Sequence, residues 1–438
     1  MISWELHPFH TRGGTAYAIR RLADQLTELG IETRVLLPDC LDTQPANDLS
    51  RLLKPISLKM RPEFRRAPRV PQSLEFSRLA LEAVEQIEES DAVIAHSAEG
   101  AMFIVLRGEK REVEPSVCWL HSLFDPSIGD LSKDQRRIFP SSSLLASAVM
   151  MADLVVTSTG ILKDAGDFEW PDRLKKLQKA LTTALAEDRV LTVESIGCLA
   201  EVPASSQIPN PEALENVPSP YVLFPGRPTV DKGFGFFAAI AERLRAYNIA
   251  CVAVRHPARQ STPVIESPNI YWLPWLTQDE LLVAMRNAVC TVLPSITEGF
   301  GLAAAESISH GVTTVYQPVG GHHVLRGLPN ALPVSLTSGE RAQLYALWSE
   351  LIEMYPDFWP VWCRHENSLS PLIEKWVEAI RSVAASATSI GSEQPRSSGW
   401  VRSLFPEQPA EERWGNRLRG RIDGDKTLHS RQNRQKEY

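Results

Sequence analysis

The chain has 438 residues, more than a single hydrophobic core sustains, so at least two domains are expected. Hydrophobic residues make up 43% and charged residues 23%, a globular mixture that excludes collagen-like, wholly disordered and disulfide-scaffold chains. With 46 basic against 53 acidic residues the formal net charge is -7, which disfavours a nucleic-acid partner.

Only Met1–Trp4 precede the first polar turn. The opening strand is therefore either stunted or begins upstream of Met1, and the second reading is preferred. Ala18, Ile19, Leu22, Leu26 and Leu29 then form the stripe of an amphipathic helix stopped by Gly30. Short runs rich in Val, Leu and Ile follow at Glu32–Leu37, Asp91–Ala95, Ser116–Leu120, Leu154–Thr157, Tyr221–Phe224, Ala250–Val254, Cys290–Leu293 and Val312–Tyr316. They read as strands buried on both faces, and helical patterns lie between them, with a capping box at Thr277 and Glu280. This alternation predicts an α/β class with parallel sheets covered by helices.

The proline-rich stretch Glu201–Pro220 has neither period and reads as a linker between two α/β halves. The expected domains are 1–205, a linker at 206–220, and 221–365. The last predicted helix is Pro371–Ala385, with Ser370 as N-cap and proline at its first position. Residues 386–438 are polar and aperiodic and read as a disordered tail. Cys40, Cys118, Cys198, Cys251, Cys290 and Cys363 are scattered, with no Cys-x-x-Cys pair, as reduced buried thiols would be. No secretory signal precedes the first motif, and the longest apolar run, Leu144–Ala152, is too short for a bilayer. A cytoplasmic location is expected.

Four features point to a bound nucleoside diphosphate. Arg12-Gly13-Gly14-Thr15 opens the first long helix, where free N–H groups and the dipole favour an anion. Gly226-Arg227 follows the strand Tyr221–Phe224, with Lys232-Gly233 five residues on, and both cations suit a diphosphate. Glu298-Gly299-Phe300-Gly301 follows another strand and runs into a helix carrying Glu306. The two carboxylates, one in the loop and one more than a turn into the helix, can accept hydrogen bonds from hydroxyls at different parts of an extended ligand. Gly320-Gly321 offers a further close backbone approach. For each feature taken alone, a structural or solvated loop is the competing reading.

The run "PSITEGFGLAAAESISHGVTTVYQPVGG", preceded by "GRPTVDKG" and "NIYWLPWLTQDELLVAMRNA", resembles the nucleotide-binding half of glycosyltransferase family 4 (group 1), enzymes of the GT-B fold. The opening "SWELHPFHTRGG", with "DAVIAHS" and "SVCWLHS", more resembles bacterial glycogen and starch synthases. The likeness covers residues 3–40, 91–125 and 221–385. It implies two Rossmann-like domains facing each other across a donor cleft, with Pro371–Ala385 returning to the first domain. The implied activity is retaining, metal-independent transfer of a sugar from a nucleotide-diphosphate-sugar to an acceptor hydroxyl, with no cofactor. Arg227 and Lys232 would hold the diphosphate, Glu306 the ribose, and Glu298 the donor sugar near its anomeric carbon. Gly299, Phe300, Gly301 and Leu302 would line the donor, and Gly13, Gly14 and Arg12 would reach its diphosphate. His121 would sit beside the reacting sugar, whereas His96 reads as structural.

Three departures stand out. The synthases place a lysine two residues before Gly-Gly, where this chain has Thr11 and carries the charge at Arg12 instead. An acidic residue usual three positions after Gly-Gly is here Val324, preceded by His322 and His323, adjacent histidines that converge poorly on one metal ion. The stretch Pro171–Leu181 has no recognised counterpart. Gly233-Phe234-Gly235 imitates a dinucleotide fingerprint but lies past the tight first turn, and the next strand ends in Arg255 rather than an acid. Asp423-Gly424-Asp425 imitates a metal motif but sits in the expected tail. The basic segment Arg51–Arg69 has two readings: a site for a phosphorylated or lipid acceptor with peripheral membrane contact, or a solvated loop. Rival functions are another GT-B enzyme (a sugar-nucleotide epimerase or a phosphorylase) and a degenerate sugar-nucleotide-binding subunit.

Overall fold

The computed structural model describes residues 1–2, 19, 22–23, 26–27, 30–38, 54–65, 69–86, 92–107, 115–121, 141–167, 170, 172–193, 211–255, 269–299, 301–353 and 358–389. The chain divides into two compact units. One holds Met1–Gly166 with Asp172–Ile196, and the other lies within Gly197–Pro406 with Asp167–Pro171. Each is an α/β unit built on parallel strands.

In the first unit, β1 (Arg34–Pro38) pairs with β2 (Lys54–Leu58), and β3 (Val93–His96), β4 (Ser116–Trp119), β5 (Leu154–Ser158) and β6 (Val190–Val193) form a second ladder in chain order. The two ladders are joined by one residue. Ile2, wholly buried, bridges Leu36 of β1 and Ala95 of β3, both in parallel. Ile2 N–H donates to Ile94 O at 2.8 Å, and its carbonyl accepts from His96 N at 3.0 Å. Ile2 thus stands in the sheet between β1 and β3. Helices α1 (Arg69–Gln86), α2 (Ser97–Arg107), α3 (Ser141–Met151) and α5 (Asp172–Ala186) pack in succession, with α4 (Thr159–Asp167) after β5. The stretch without a family counterpart is most of α5. Leu174, Leu177, Leu181 and Ala184 recur at helical spacing and are buried, and the helix packs on α3.

The basic segment Arg51–Arg69 is not wholly a loop: it contains β2 and a single helical turn, Pro62–Arg65. Part of its charge is committed internally. Arg61 donates from Nε and Nη2 to the two oxygens of buried Glu75, at 2.8 and 3.0 Å, and its guanidinium lies 4.6 Å from the Phe64 ring centroid. Hydrogen bonds from Arg78 and Arg61 hold the Glu75 carboxyl down at about 2.

The second unit carries β7 (Tyr221–Phe224), β8 (Ala250–Val254), β9 (Ile270–Leu273), β10 (Thr291–Leu293), β11 (Thr314–Tyr316) and β12 (Ala331–Pro333). Their spatial order is β12-β11-β10-β7-β8-β9, the doubly wound arrangement whose switch point falls between β7 and β10. Its helices are α6 (Phe234–Leu244), α7 (Gln278–Asn287), α8 (Leu302–Ser309), α9 (Ser338–Glu353) and α10 (Phe358–Ser389). The capping box forms as expected: Thr277 Oγ1 accepts from Glu280 N, and Glu280 accepts from Thr277 N at 2.7 Å. Strands β9 and β12 escape the sequence reading because Ile270–Leu273 carries two half-buried aromatics and Ala331–Pro333 is three half-buried residues ending in proline. The end of the expected linker is packed rather than free, with Leu214 buried beside Tyr221 and Val252.

Helix α10 corrects one boundary. Pro371 lies inside it, and Ser370 is not an N-cap: its hydroxyl accepts from Arg243 Nη2 at 3.0 Å. The lost backbone bond at Pro371 is offset by a buried stripe of Leu369, Leu372, Ile373, Trp376, Val377 and Ile380. Its contacts with α6, α9 and β11 group it with the second unit, whereas the resemblance places Pro371–Ala385 with the first. Residues 386–389 of the expected tail are its last turn, and the remainder lies outside the described residues. Gly235, part of the dinucleotide look-alike, serves this packing: a Cβ there would stand 2.7 Å from the Trp362 ring. Among the described residues no helix is long and apolar enough to cross a membrane. The described cysteines, Cys118, Cys251 and Cys290, are buried thiols, pushed up by burial, to about 12 for Cys118 and Cys290.

Trp362 is fully buried and stacks edge-on against Phe236 at 4.7 Å. Trp362→Ala should destabilise the second unit by about 3–5 kcal/mol, the cost of a large buried aromatic, read as a lower urea midpoint in equilibrium unfolding.

Candidate donor site on the second unit

The loops after β7 and β10 leave the carboxyl ends of the two strands that flank the switch point, where open α/β sheets bind ligands. The β7 loop presents half-buried Arg227 and Lys232, and the β10 loop presents Glu298. Lys232 Nζ donates to Glu298 Oε1 at 2.8 Å, and Ser295 Oγ donates to Oε2 at 3.2 Å. Asp231 Oδ2 stands 3.9 Å from the ammonium. Burial pushes the Glu298 carboxyl upward, but Lys232, His322 and the Ser295 hydroxyl more than reverse this and bring it to about 2. Glu298 is therefore ionised at neutral pH, and the Lys232 charge is shared with it. Arg227 makes no ion pair among the described residues, so its charge is available to a ligand.

Backbone interlocking fixes these side chains. Asp231 O accepts from Ile296 N at 2.9 Å and Thr297 N at 3.4 Å, tying the β7 loop to the β10 loop. Glu298 O accepts from Gly321 N at 3.2 Å, tying the β10 loop to the turn after β11. Two glycines are required. Gly320 (φ 49°) lies so close that a Cβ would stand 1.7 Å from Glu298 O. Gly301 (φ 69°), the N-cap of α8, lies against His322, whose Cδ2 would be 2.3 Å from a Cβ. His322 is fully buried and donates from Nδ1 to Gln317 O at 2.9 Å, and burial lowers its basicity despite nearby Glu298. Its Nε2 is 3.8 Å from Glu298 Oε2.

Arg227, Lys232, Glu298, Gly299 and Gly301 thus belong to one loop assembly, and Leu302 opens α8. Glu306 lies in the second turn of that helix, half-buried. Phe300, Arg12, Gly13 and Gly14 lie outside the described residues, as do Asp423 and Asp425. The sequence reading does not single out Ser295 and His322 as neighbours of Glu298, nor Asp231 as a neighbour of Lys232. Ser295 stands three positions before it in the quoted loop, a legible signal, whereas His322 reaches it only through the fold. Among the described residues no three His, Cys, Asp or Glu side chains converge as metal ligands.

On the first unit, His96 ends β3 and His121 follows β4. Their rings share one hydrogen bond, His96 Nδ1 to His121 Nε2 at 2.9 Å, and His121 stacks on Trp119 at 5.2 Å with planes 7° apart. Burial keeps both neutral, bringing His121 down to about 3 and His96 well below its ordinary range. The histidine expected to act and the one expected to be structural are therefore a directly bonded pair.

Residues 219–346 match the family model for glycosyl transferases group 1, and residues 1–85 match the starch synthase catalytic domain. No curated protein matches the chain. Among solved structures, sucrose-phosphate synthase from Thermosynechococcus elongatus matches at 17% identity and TM-score 0.54, over 89% of this chain and 96% of that one. The catalytic domain of starch synthase IV from Arabidopsis thaliana, bound to ADP and acarbose, matches at 16% identity and TM-score 0.52, over 87% and 98%. An α,α-trehalose 6-phosphate synthase from Burkholderia multivorans matches at 16% and 0.50, over 88% and 98%. The fold is that of the GT-B glycosyltransferases, and the matched segments are of glycosyltransferase type.

A depressed carboxyl contributes stability that is complete above its ordinary value of 4.5 and is lost as pH falls towards about 2. Glu298→Gln should therefore flatten the acid limb of stability between these values, measured by urea unfolding from pH 2 to 6.

Proposed function

We propose that the protein is a retaining glycosyltransferase that moves a sugar from a nucleoside-diphosphate-sugar to an acceptor hydroxyl. The observation that carries this reading is the Lys232–Glu298 pair beside uncommitted Arg227 at the switch point. A cation bonded to a carboxylate joins a group suited to phosphate oxygens with one suited to sugar hydroxyls. In the reaction the bond from the anomeric carbon to the diphosphate oxygen breaks through an oxocarbenium-like state. The acceptor oxygen bonds to the same face, and its proton passes to the departing diphosphate. Arg227 and Lys232 stabilise the leaving group by charge already in place. Glu298 holds the sugar and Glu306 the ribose. His121, kept neutral by burial, is assigned to the reacting sugar. The group 1 match over residues 219–346 and the ADP-bound starch synthase fold relative support a nucleotide donor.

The reading is tested by a thermal-shift panel of UDP, GDP, ADP and dTDP sugars, followed by hydrolysis and transfer assays with the best binder. A ligand at 100 times its Kd should stabilise by about 2.7 kcal/mol. Stabilisation by none of them overturns the reading.

Arg227→Ala and Lys232→Ala should each lower turnover by about 10²–10³-fold, the scale of one such electrostatic contact. Near-normal rates in both variants would remove the diphosphate assignment.

Glu306→Ala should weaken sugar nucleotide and free diphosphate alike, while Glu298→Ala should impair sugar transfer more than diphosphate binding. Calorimetry and initial rates on the two variants distinguish this from the reverse.

With side-chain cations neutralising the leaving group, turnover is expected to survive excess EDTA. Loss in EDTA, restored by magnesium or manganese, would assign that charge to a metal instead.

A further inference from the structure

Arg255 stands where a dinucleotide fingerprint would carry an acid, and it has no part in the reading above. It follows β8 at the carboxyl end of the sheet in the second unit, and its N–H donates to Leu273 O at 3.0 Å, so its backbone continues the β8–β9 ladder and is fixed. Strand β7 lies on the other side of β8. Their register sets Phe224 opposite Ala253; carried two residues on, it sets Gly226 level with Arg255, one strand spacing of about 5 Å away. Arg255 is thus next to the loop that bears Arg227 and Lys232, on the side away from β10 and Glu298. Its side chain is exposed and makes no hydrogen bond or ion pair with another described residue. A strand–helix–strand unit of this kind takes phosphates at its first turn and the nucleoside beside the end of its second strand. With a diphosphate at Arg227 and Lys232, the end of β8 is the place of the nucleoside. Its ribose is assigned to Glu306, a carboxylate that accepts from hydroxyls, and the group left for Arg255 is the base.

We propose that Arg255 reads the base of the sugar nucleotide and selects guanine. The inference rests on the glycosyltransferase reading and deepens it by naming the donor class, a GDP-sugar. A guanidinium has five N–H donors and no acceptor, so it favours a base edge that offers acceptors alone. Guanine offers two side by side, O6 and N7, and the planar fork takes both. Uracil and thymine offer O4 alone on the corresponding edge. Adenine sets its N6 amino group beside N7, so a guanidinium there meets a donor with a donor.

The test uses the full chain and calorimetry with GDP, UDP and ADP, which share ribose and diphosphate and differ in the base. GDP should bind at least about tenfold tighter than ADP, with UDP between them, the scale of one bidentate pair. Arg255→Ala should weaken GDP about tenfold and leave ADP within about twofold. Arg255→Lys keeps the charge but loses the fork, and should stay close to the alanine variant. On the wild-type chain 7-deaza-GDP, which lacks N7, should bind about fivefold more weakly than GDP, the scale of one hydrogen bond. This comparison needs no variant and decides the question if the substitutions do not fold. Equal weakening of all three diphosphates by Arg255→Ala makes the residue a general attractor of anions and overturns the assignment. So does 7-deaza-GDP that binds as tightly as GDP, or a preference for another base, dTDP included. A wild-type chain that binds none of these diphosphates overturns the glycosyltransferase reading, and this assignment with it.

Discussion

A carboxylate surrounded by protein has to be answered by positive charge or hydrogen-bond donors, and at Glu298 the answer comes from two loops. Lys232 reaches it from the β7 side and Ser295 from its own loop, while the turn after β11 is tied on through the backbone, Gly321 N donating to Glu298 O. Removing one partner of such a pair is strongly destabilising because the other is left uncompensated, so these loops share one electrostatic constraint. Folding the second unit and assembling its site are to that extent the same event.

The strand order sets where this happens. Reversal of winding between β7 and β10 opens a crevice at their carboxyl ends, and the two loops carrying the cations and the carboxylate leave those ends. Hydroxyl bonds among Thr291, Ser307 and Thr314, at 2.7 and 2.9 Å, satisfy polar groups buried beneath this region. Helix α8 is thereby fixed to β10 and β11, which holds the backbone that carries Glu306.

Much of this was legible in the sequence. Strands such as Tyr221–Phe224 and Ala250–Val254 were read to the residue because a strand buried on both faces is a continuous apolar run bounded by turn residues. Lys232 and Glu298 were read as site residues because each follows such a run at a glycine-rich turn. Their mutual bond was not legible, since 66 positions separate them and only the sheet order brings them together. The same reason hides His322, which the sequence shows only as half of an adjacent histidine pair. Strand β2 was hidden by its composition, Lys54–Leu58 being short, basic at its start and interrupted by proline. The start of α10 was misread because Ser370-Pro371 is a local helix-start signal that the packing of Trp362 and Leu369 overrides.

The contacts at Gly301 and Gly320 bear on how such a site can change. With the Gly320 backbone pressed against the Glu298 carbonyl and the His322 ring filling the place of a side chain at Gly301, none of the three loops can lengthen or swing independently of the others. Insertions there would have to be accommodated by all three at once. Exchange of side chains on a preserved backbone is the less obstructed route. Change within this architecture is then a matter of repainting a rigid frame rather than rebuilding it.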